Sequence, residues 1–148
     1  MNNKIPPPIV TLISGLAIYF SRNLFPNHHG LMLDVFSVLL FVCGIIIIRT
    51  AFLSFKNYQT TINPLNLTKT SSLVNTGIFK YTRNPMYLGM IFILLAIALK
   101  FNLYGGLIVT LVFFSFITKF QIIPEEKAME KLFGQEFKNY KKTTRRWL

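Results

Sequence analysis

Two short segments hold most of the side chains in this sequence that could do chemistry. The first is Arg83-Asn84-Pro85-Met86-Tyr87, which opens a long apolar run. Asn84 and Pro85 make a good helix start: Asn can accept from the free amides, and Pro suits the first helical position, where its missing N–H is not needed. Helix-end amides with Arg83 beside them form a place suited to a carboxylate or phosphate. Asn84, Tyr87 and Leu88 share one face at i, i+3, i+4 spacing. The second segment is Gln121 and, four residues on, the pair Glu125-Glu126 after Pro124. Adjacent acids after a proline suit a helix's first turn. These two also stand where another apolar run ends, so they and Arg83 can face each other across a small crevice. The rest of the chain offers little else. Cys43 is the only cysteine, so neither a disulfide nor a thiolate metal site forms within one chain, and packing is its expected role. His28 and His29 are adjacent with no third ligand, and no metal site is expected.

The elements that must position these residues read as membrane spans. Hydrophobic residues make up 52% of the chain and charged ones only 14%, against roughly 25% charged in soluble domains. The apolar residues fall in blocks at 5–20, 31–53, 86–99 and 103–123, and a span needs about 20 of them. The expected fold is therefore all-α and integral to the membrane, with about four transmembrane helices. The last two form a hairpin turning at 100–102, followed by a C-terminal amphipathic helix. The chain divides into two N-terminal spans (1–55), a cytoplasmic loop (56–84), the hairpin (85–123) and a cytoplasmic tail (124–148), all in one membrane domain. In the tail, Ala128, Met129, Leu132, Phe133, Phe137 and Tyr140 recur at three- and four-residue spacing opposite a Lys-rich face. That helix should lie along the interface and roof the crevice.

The net charge of +11 argues for anionic lipid as a partner and against nucleic acid, because of where the cations lie. Lys56, Lys69, Lys80 and Arg83 fall in the central loop, and Lys127, Lys131, Lys138, Lys141, Lys142, Arg145 and Arg146 follow Pro124. Only Arg22 and Lys100 fall in the other two loops. The positive-inside rule then places both termini, the central loop and the crevice in the cytoplasm, with the protein in the inner or plasma membrane. On that side the sequon at Asn66 carries no meaning. Arg49 and Asp34, near opposite ends of the second span, read as snorkelling residues. A cation, an acid pair, helix-end amides and apolar walls suit a zwitterionic amphiphile.

The stretches LVNTGIFKYTRNPMYLG (73–89) and PEEKAMEKLFGQEFKNYKKTTRRWL (124–148) together resemble the isoprenylcysteine carboxyl methyltransferase family. That family groups with the phospholipid methyltransferases among integral-membrane methyltransferases. The resemblance covers roughly residues 63–148. It implies S-adenosylmethionine bound at the cytoplasmic ends of the last two spans. Carried over residue by residue, the cofactor would meet Ser71, Ser72, Leu73, Val74, Phe79, Asn84, Pro85, Met86, Tyr87 and Glu125. Arg83 and Glu126 match the motifs and would hold the pocket's shape. Asn84 replaces a eukaryotic His, as in bacterial-looking members, and Phe79 replaces a Tyr. Gln121 stands where relatives commonly place an Arg linked to the acceptor carboxylate. The expected activity is methylation of an isoprenylcysteine-like carboxylate or other lipidic acceptor from the bilayer. Methylation of a phospholipid ethanolamine headgroup, with Glu126 as the base, is the alternative enzyme. A non-catalytic lipid-binding scaffold is the alternative outside catalysis.

Overall fold

The computed structural model describes residues 5–26, 30–58 and 72–148. The His28-His29 pair, the Asn66 sequon, Lys69 and Ser71 lie outside the described residues. Among the described residues the regular structure is helical throughout.

Three consecutive prolines set the first element. Each fixes φ near −65° and lacks an N–H, which suits only a helix's first turn. From them α1 runs Pro7–Phe20, and a 3-10 turn, Ser21–Leu24, follows it. Next come α2 (Leu31–Asn57), a 3-10 turn (Gly77–Lys80), α3 (Pro85–Phe101) and α4 (Leu103–Ile117). The sequence suggested a break after α4. Instead, the chain widens into a π turn, Thr118–Ile122, and runs directly into α5, Ile123–Thr143. Pro124 accounts for the widening. A proline ring clashes with the carbonyl four residues back, and a wider turn moves that carbonyl aside. α5 kinks at Gly134, whose φ of 49° and ψ of −116° are not helical.

Two stretches are long and apolar enough to cross a membrane: Leu31–Asn57 and the kinked helical stretch Leu103–Thr143. Pro85–Phe101 is apolar but shorter. The outward side chains of α1, α2 and α4 are themselves apolar, among them Leu12, Phe20, Val38, Leu39, Ile108, Leu111 and Val112. An apolar surface of that extent is an interaction surface, and lipid is a suitable solvent for it. Cys43 lies on this outward surface, not in the packed interior expected for it.

α3 is the central helix and touches α1, α2 and α4. α2 buries only Ser37, Gly44 and Ala51, which lie seven residues apart on one stripe. The Ser37 hydroxyl donates to the Ala96 carbonyl at 2.8 Å. A Cβ on Gly44 would sit 2.8 Å from the Gly89 carbonyl, and one on Gly89 would sit 2.7 Å from the Gly44 carbonyl. The two backbones therefore touch, as small residues allow in membrane helix pairs. The α3–α4 turn hangs on buried Asn102. Its side-chain oxygen accepts from Gly105 N at 3.0 Å, and its Nδ2 donates to the Ser21 carbonyl and hydroxyl, both at 3.1 Å. At this same end Lys100 pairs with Asp34 at 2.9 Å, so Asp34 has a partner on α3. The hairpin returns the chain so that the start of α3 meets the start of α5.

Candidate active site

Arg83, immediately before α3, and Glu126, in the first turn of α5, form an ion pair at 2.7 Å. Their side chains are only 11% and 15% exposed, so the pair is largely shielded from solvent. Glu126 is held from both sides. Its Oε1 accepts from Arg83 Nη2 at 2.7 Å and from Arg146 Nε at 3.1 Å, and its Oε2 accepts from Arg146 Nη2 at 2.7 Å. Burial alone would raise the Glu126 pKa, but the bonds from Arg146 and Arg83 outweigh it and hold the carboxyl below its usual range. Arg83 Nη1 meanwhile donates to the carbonyls of Thr144 at 2.8 Å and Lys141 at 3.3 Å.

The neighbouring acid is engaged differently. Glu125 Oε1 accepts from the Tyr87 hydroxyl at 2.6 Å. Desolvation pushes its pKa up to about 7; the Tyr87 bond opposes this shift and the Glu126 charge adds to it. Gln121, buried in the π turn, also bonds to Tyr87. π turns recur at functional sites, and this one brings Gln121 to the side chain that Glu125 also engages.

The remaining expected residues form the apolar side. Leu73, Val74 and Phe79 are buried together with Phe137 and Tyr140, and Met86, Met129 and Phe133 pack against them. The Gly77–Lys80 turn presents this group, and Gly77 at φ 60° supplies its bend. The Phe79 carbonyl accepts from the Tyr140 hydroxyl at 2.6 Å. Ser72 donates to the Tyr58 carbonyl at 3.3 Å, at the edge of the group. Pro85 is fully buried at the helix start.

The structure corrects one expectation outright. Asn84 does not cap α3 with its side chain. Its Nδ2 donates instead to the Arg146 carbonyl at 2.9 Å, while its own N–H donates to the Thr82 hydroxyl at 3.2 Å. The sequence also gave no role to Thr82, Thr144 or Trp147, and it read Tyr140 only as part of the tail's apolar face and Arg146 only as one of its cations; all of them border the site. Arg83 and Glu126 were expected to face each other across a small crevice; they meet in a direct ion pair, while Glu125 pairs with Tyr87.

A family described as phospholipid methyltransferase matches residues 33–136. That span is well over half of the chain and contains Arg83–Tyr87, Gln121 and the Glu125-Glu126 pair. The chain belongs to this family. A Haemophilus influenzae protein described as "Uncharacterized protein" is 40% identical over 63 residues, which are 43% of this chain and all of that relative. No solved structure matches. The phospholipid methyltransferase family is one of membrane methyltransferases, and its members generally use S-adenosylmethionine. Two atoms here suit such a cofactor, whose amino-acid end carries one carboxylate and one ammonium. Arg83 Nε is a buried donor with no hydrogen-bond partner among the described residues. The Glu125 carboxyl is a partly enclosed acceptor one residue from the acid that Arg83 holds. The donor set therefore fits.

Proposed function

We propose that this chain is an integral-membrane, S-adenosylmethionine-dependent methyltransferase that methylates the carboxylate of an isoprenylcysteine-like or other lipidic acceptor at the cytoplasmic face. α1 to α4 are its four spans, α1 being completed by Ser21–Leu24, and α5 lies along the interface. The cation distribution supports that orientation, and anionic lipids attract the same basic face.

When bound, the cofactor supplies an electrophilic methyl group on a sulfonium. The protein's own residues position and shield. Glu125 accepts from the cofactor's ammonium, and Arg83 Nε donates to its carboxylate. Leu73, Val74, Phe79 and Met86, together with Met129 and Phe133, form apolar walls that keep water out. Ser72, Asn84 and Pro85 border that pocket. Tyr87 stays on the cofactor side with Glu125, and Gln121 presents a neutral hydrogen-bonding group to the acceptor. Orientation of this kind is worth up to about 7–11 kcal/mol of a bimolecular barrier.

The observation that carries the acceptor class is the state of Glu126. Fixed between two guanidinium groups with a lowered pKa, it is a poor proton acceptor. With Glu125 given to the cofactor, no free carboxylate base remains in the cluster among the described residues, and a carboxylate acceptor needs none because it is already anionic. An ethanolamine headgroup must first lose a proton. That second reading keeps two points in its favour, the family's description and the neutral Gln121. The test incubates the purified protein in lipid nanodiscs with methyl-labelled S-adenosylmethionine, supplying either a farnesylcysteine analogue or phosphatidylethanolamine. Base-labile label on the analogue is expected. Base-stable label on the ethanolamine lipid would install the second reading. No cofactor binding at all would leave a lipid-binding scaffold.

A further inference from the structure

The last residues of the chain lie beyond the span matched by the family, and they close back over the Arg-Asn-Pro turn. At Thr144 the backbone leaves α5 in an extended conformation, with φ −128° and ψ 131°. Extended backbone exposes carbonyls, and here they are all received by the other segment. The Arg145 carbonyl accepts from Arg83 N at 3.0 Å. The Arg146 carbonyl accepts from Asn84 Nδ2 at 2.9 Å and from the Thr82 hydroxyl at 3.3 Å. The Thr144 carbonyl accepts from Arg83 Nη1 at 2.8 Å, and the Thr144 hydroxyl donates to the Lys80 carbonyl at 3.4 Å. The Arg146 guanidinium meets Glu126, and Trp147 stacks on Phe114 of α4 with ring centres 4.7 Å apart. Thr82 and Thr144 are buried beneath this contact.

A guanidinium is planar, with its donors in a fixed fork. Once Glu126 fixes Nη2 and the Thr144 carbonyl fixes Nη1, the direction of the unpartnered Nε–H is fixed too. We propose that residues 144–147 are a positioning latch. Arg146 and Trp147 hold Arg83, Asn84 and Glu126 in the conformation that receives the cofactor, and they act through those residues without touching the substrate. The ligand half of this inference rests on the cofactor reading above. The docking half does not, because it concerns only the chain's own contacts.

Trp147 is the only tryptophan, so its fluorescence reports docking directly. The experiment uses the full chain in nanodiscs. It measures acrylamide quenching of Trp147 and calorimetric binding of S-adenosylhomocysteine, comparing wild type, Arg146→Ala, Arg146→Lys and, as an exposed control, Lys142→Ala. Arg146→Ala should raise quenching and weaken binding about tenfold or more. Arg146→Lys should restore part of the docking, and Lys142→Ala should match wild type in both. The discriminating readout is reciprocity. If the latch and the ligand are coupled, saturating S-adenosylhomocysteine must shift the docking equilibrium of Trp147 in Arg146→Ala toward the docked state by at least the factor by which the substitution weakens binding. A tail that merely stabilises the fold gives no ligand-dependent protection, and that result overturns the latch. Unchanged quenching and binding in Arg146→Ala would also overturn it. A wild type that binds no S-adenosylhomocysteine, while Arg146→Ala still frees Trp147, would overturn the cofactor reading and leave the docking contact standing.

Discussion

Cofactor binding should be linked to protons through Glu125. Its carboxyl is pushed up to about 7, chiefly by burial, with the Tyr87 bond opposing and the Glu126 charge reinforcing the shift. To pair with an ammonium it must be ionised, so binding draws it toward the charged form and releases a proton. Apparent affinity then scales with the ionised fraction. It should sit near its plateau at pH 8, fall about twofold at pH 7 and fall about thirtyfold at pH 5.5. Folding carries the opposite sign. A carboxyl whose folded pKa is raised contributes stability that is fully present below its ordinary range near 4.5 and is lost as pH rises through about 7. That contribution is at most on the order of 3 kcal/mol. Of the groups facing Glu125, Glu126 is held ionised by its two arginines and so does not titrate in this window, while Tyr87 and Gln121 carry no charge. The assay is calorimetric titration of S-adenosylhomocysteine from pH 5.5 to 8 in buffers of different ionisation enthalpy. Roughly half a proton should be released per ligand at pH 7. Glu125→Gln should bind weakly and without a slope. A flat wild-type profile, or a Glu125→Gln variant that keeps the slope, would refute the assignment of Glu125 to the ammonium.

Three further outcomes follow from named contacts. Arg83→Lys should insert and fold yet lose most turnover, because an ammonium cannot reproduce bonds to Glu126 and Thr144 while presenting Nε; near-normal activity would show that Arg83 contributes only its charge. Gln121→Arg should improve use of a farnesylcysteine analogue by about tenfold, or 1.4 kcal/mol, through charge compensation; a slower variant would show that Gln121 does not face the acceptor. Gly89→Ala should lower thermal stability by about 1–3 kcal/mol, since its Cβ would meet Ile48 at 2.6 Å and the Gly44 carbonyl at 2.7 Å; an unchanged melting temperature would mean that the helices separate freely.

The apolar helices and the hairpin were legible because blocks of apolar residues and a polar turn leave one-dimensional traces. The meeting of Arg83 with the acid pair was legible for the same reason, since a hairpin forces its ends together. Which acid takes the arginine was not. Adjacent residues on a helix point about 100° apart, and the π turn ahead of Pro124 shifts that phase by an amount no residue pattern announces. Asn84 misled because its type is that of a cap, whereas its backbone, at φ −128° and ψ 55°, turns the carboxamide toward the Arg146 carbonyl. The tail was illegible for a deeper reason. Half of its contacts are made by backbone carbonyls, which every residue possesses and which therefore leave no signature in residue type. The one available signal was Trp147, a large aromatic at the end of a run of cations.

The charge of the assembled cluster bears on the acceptor independently of any base. Arg83 and Arg146 contribute two positive charges, and Glu126 and an ionised Glu125 contribute two negative ones, so the protein side sums to zero. A cofactor that brings a zwitterionic amino-acid end and a sulfonium leaves the filled site with one net positive charge. On the reading proposed above its counter-ion would come from the acceptor, since the side chains that would wall the cofactor are apolar ones from α3, α5 and the Gly77–Lys80 turn. At an effective dielectric near 20, two unit charges 4 Å apart interact by about 4 kcal/mol. A carboxylate arriving there completes a neutral set, and transfer of the methyl group leaves ester and thioether neutral as well, so neither product is held by unbalanced charge. An ammonium arriving at the same place doubles the positive charge and must shed its proton against that field. Gln121, which adds no charge of its own, does not alter this balance. It sets only how firmly the carboxylate is held, which is why Gln121→Arg should tighten the acceptor without changing the reaction.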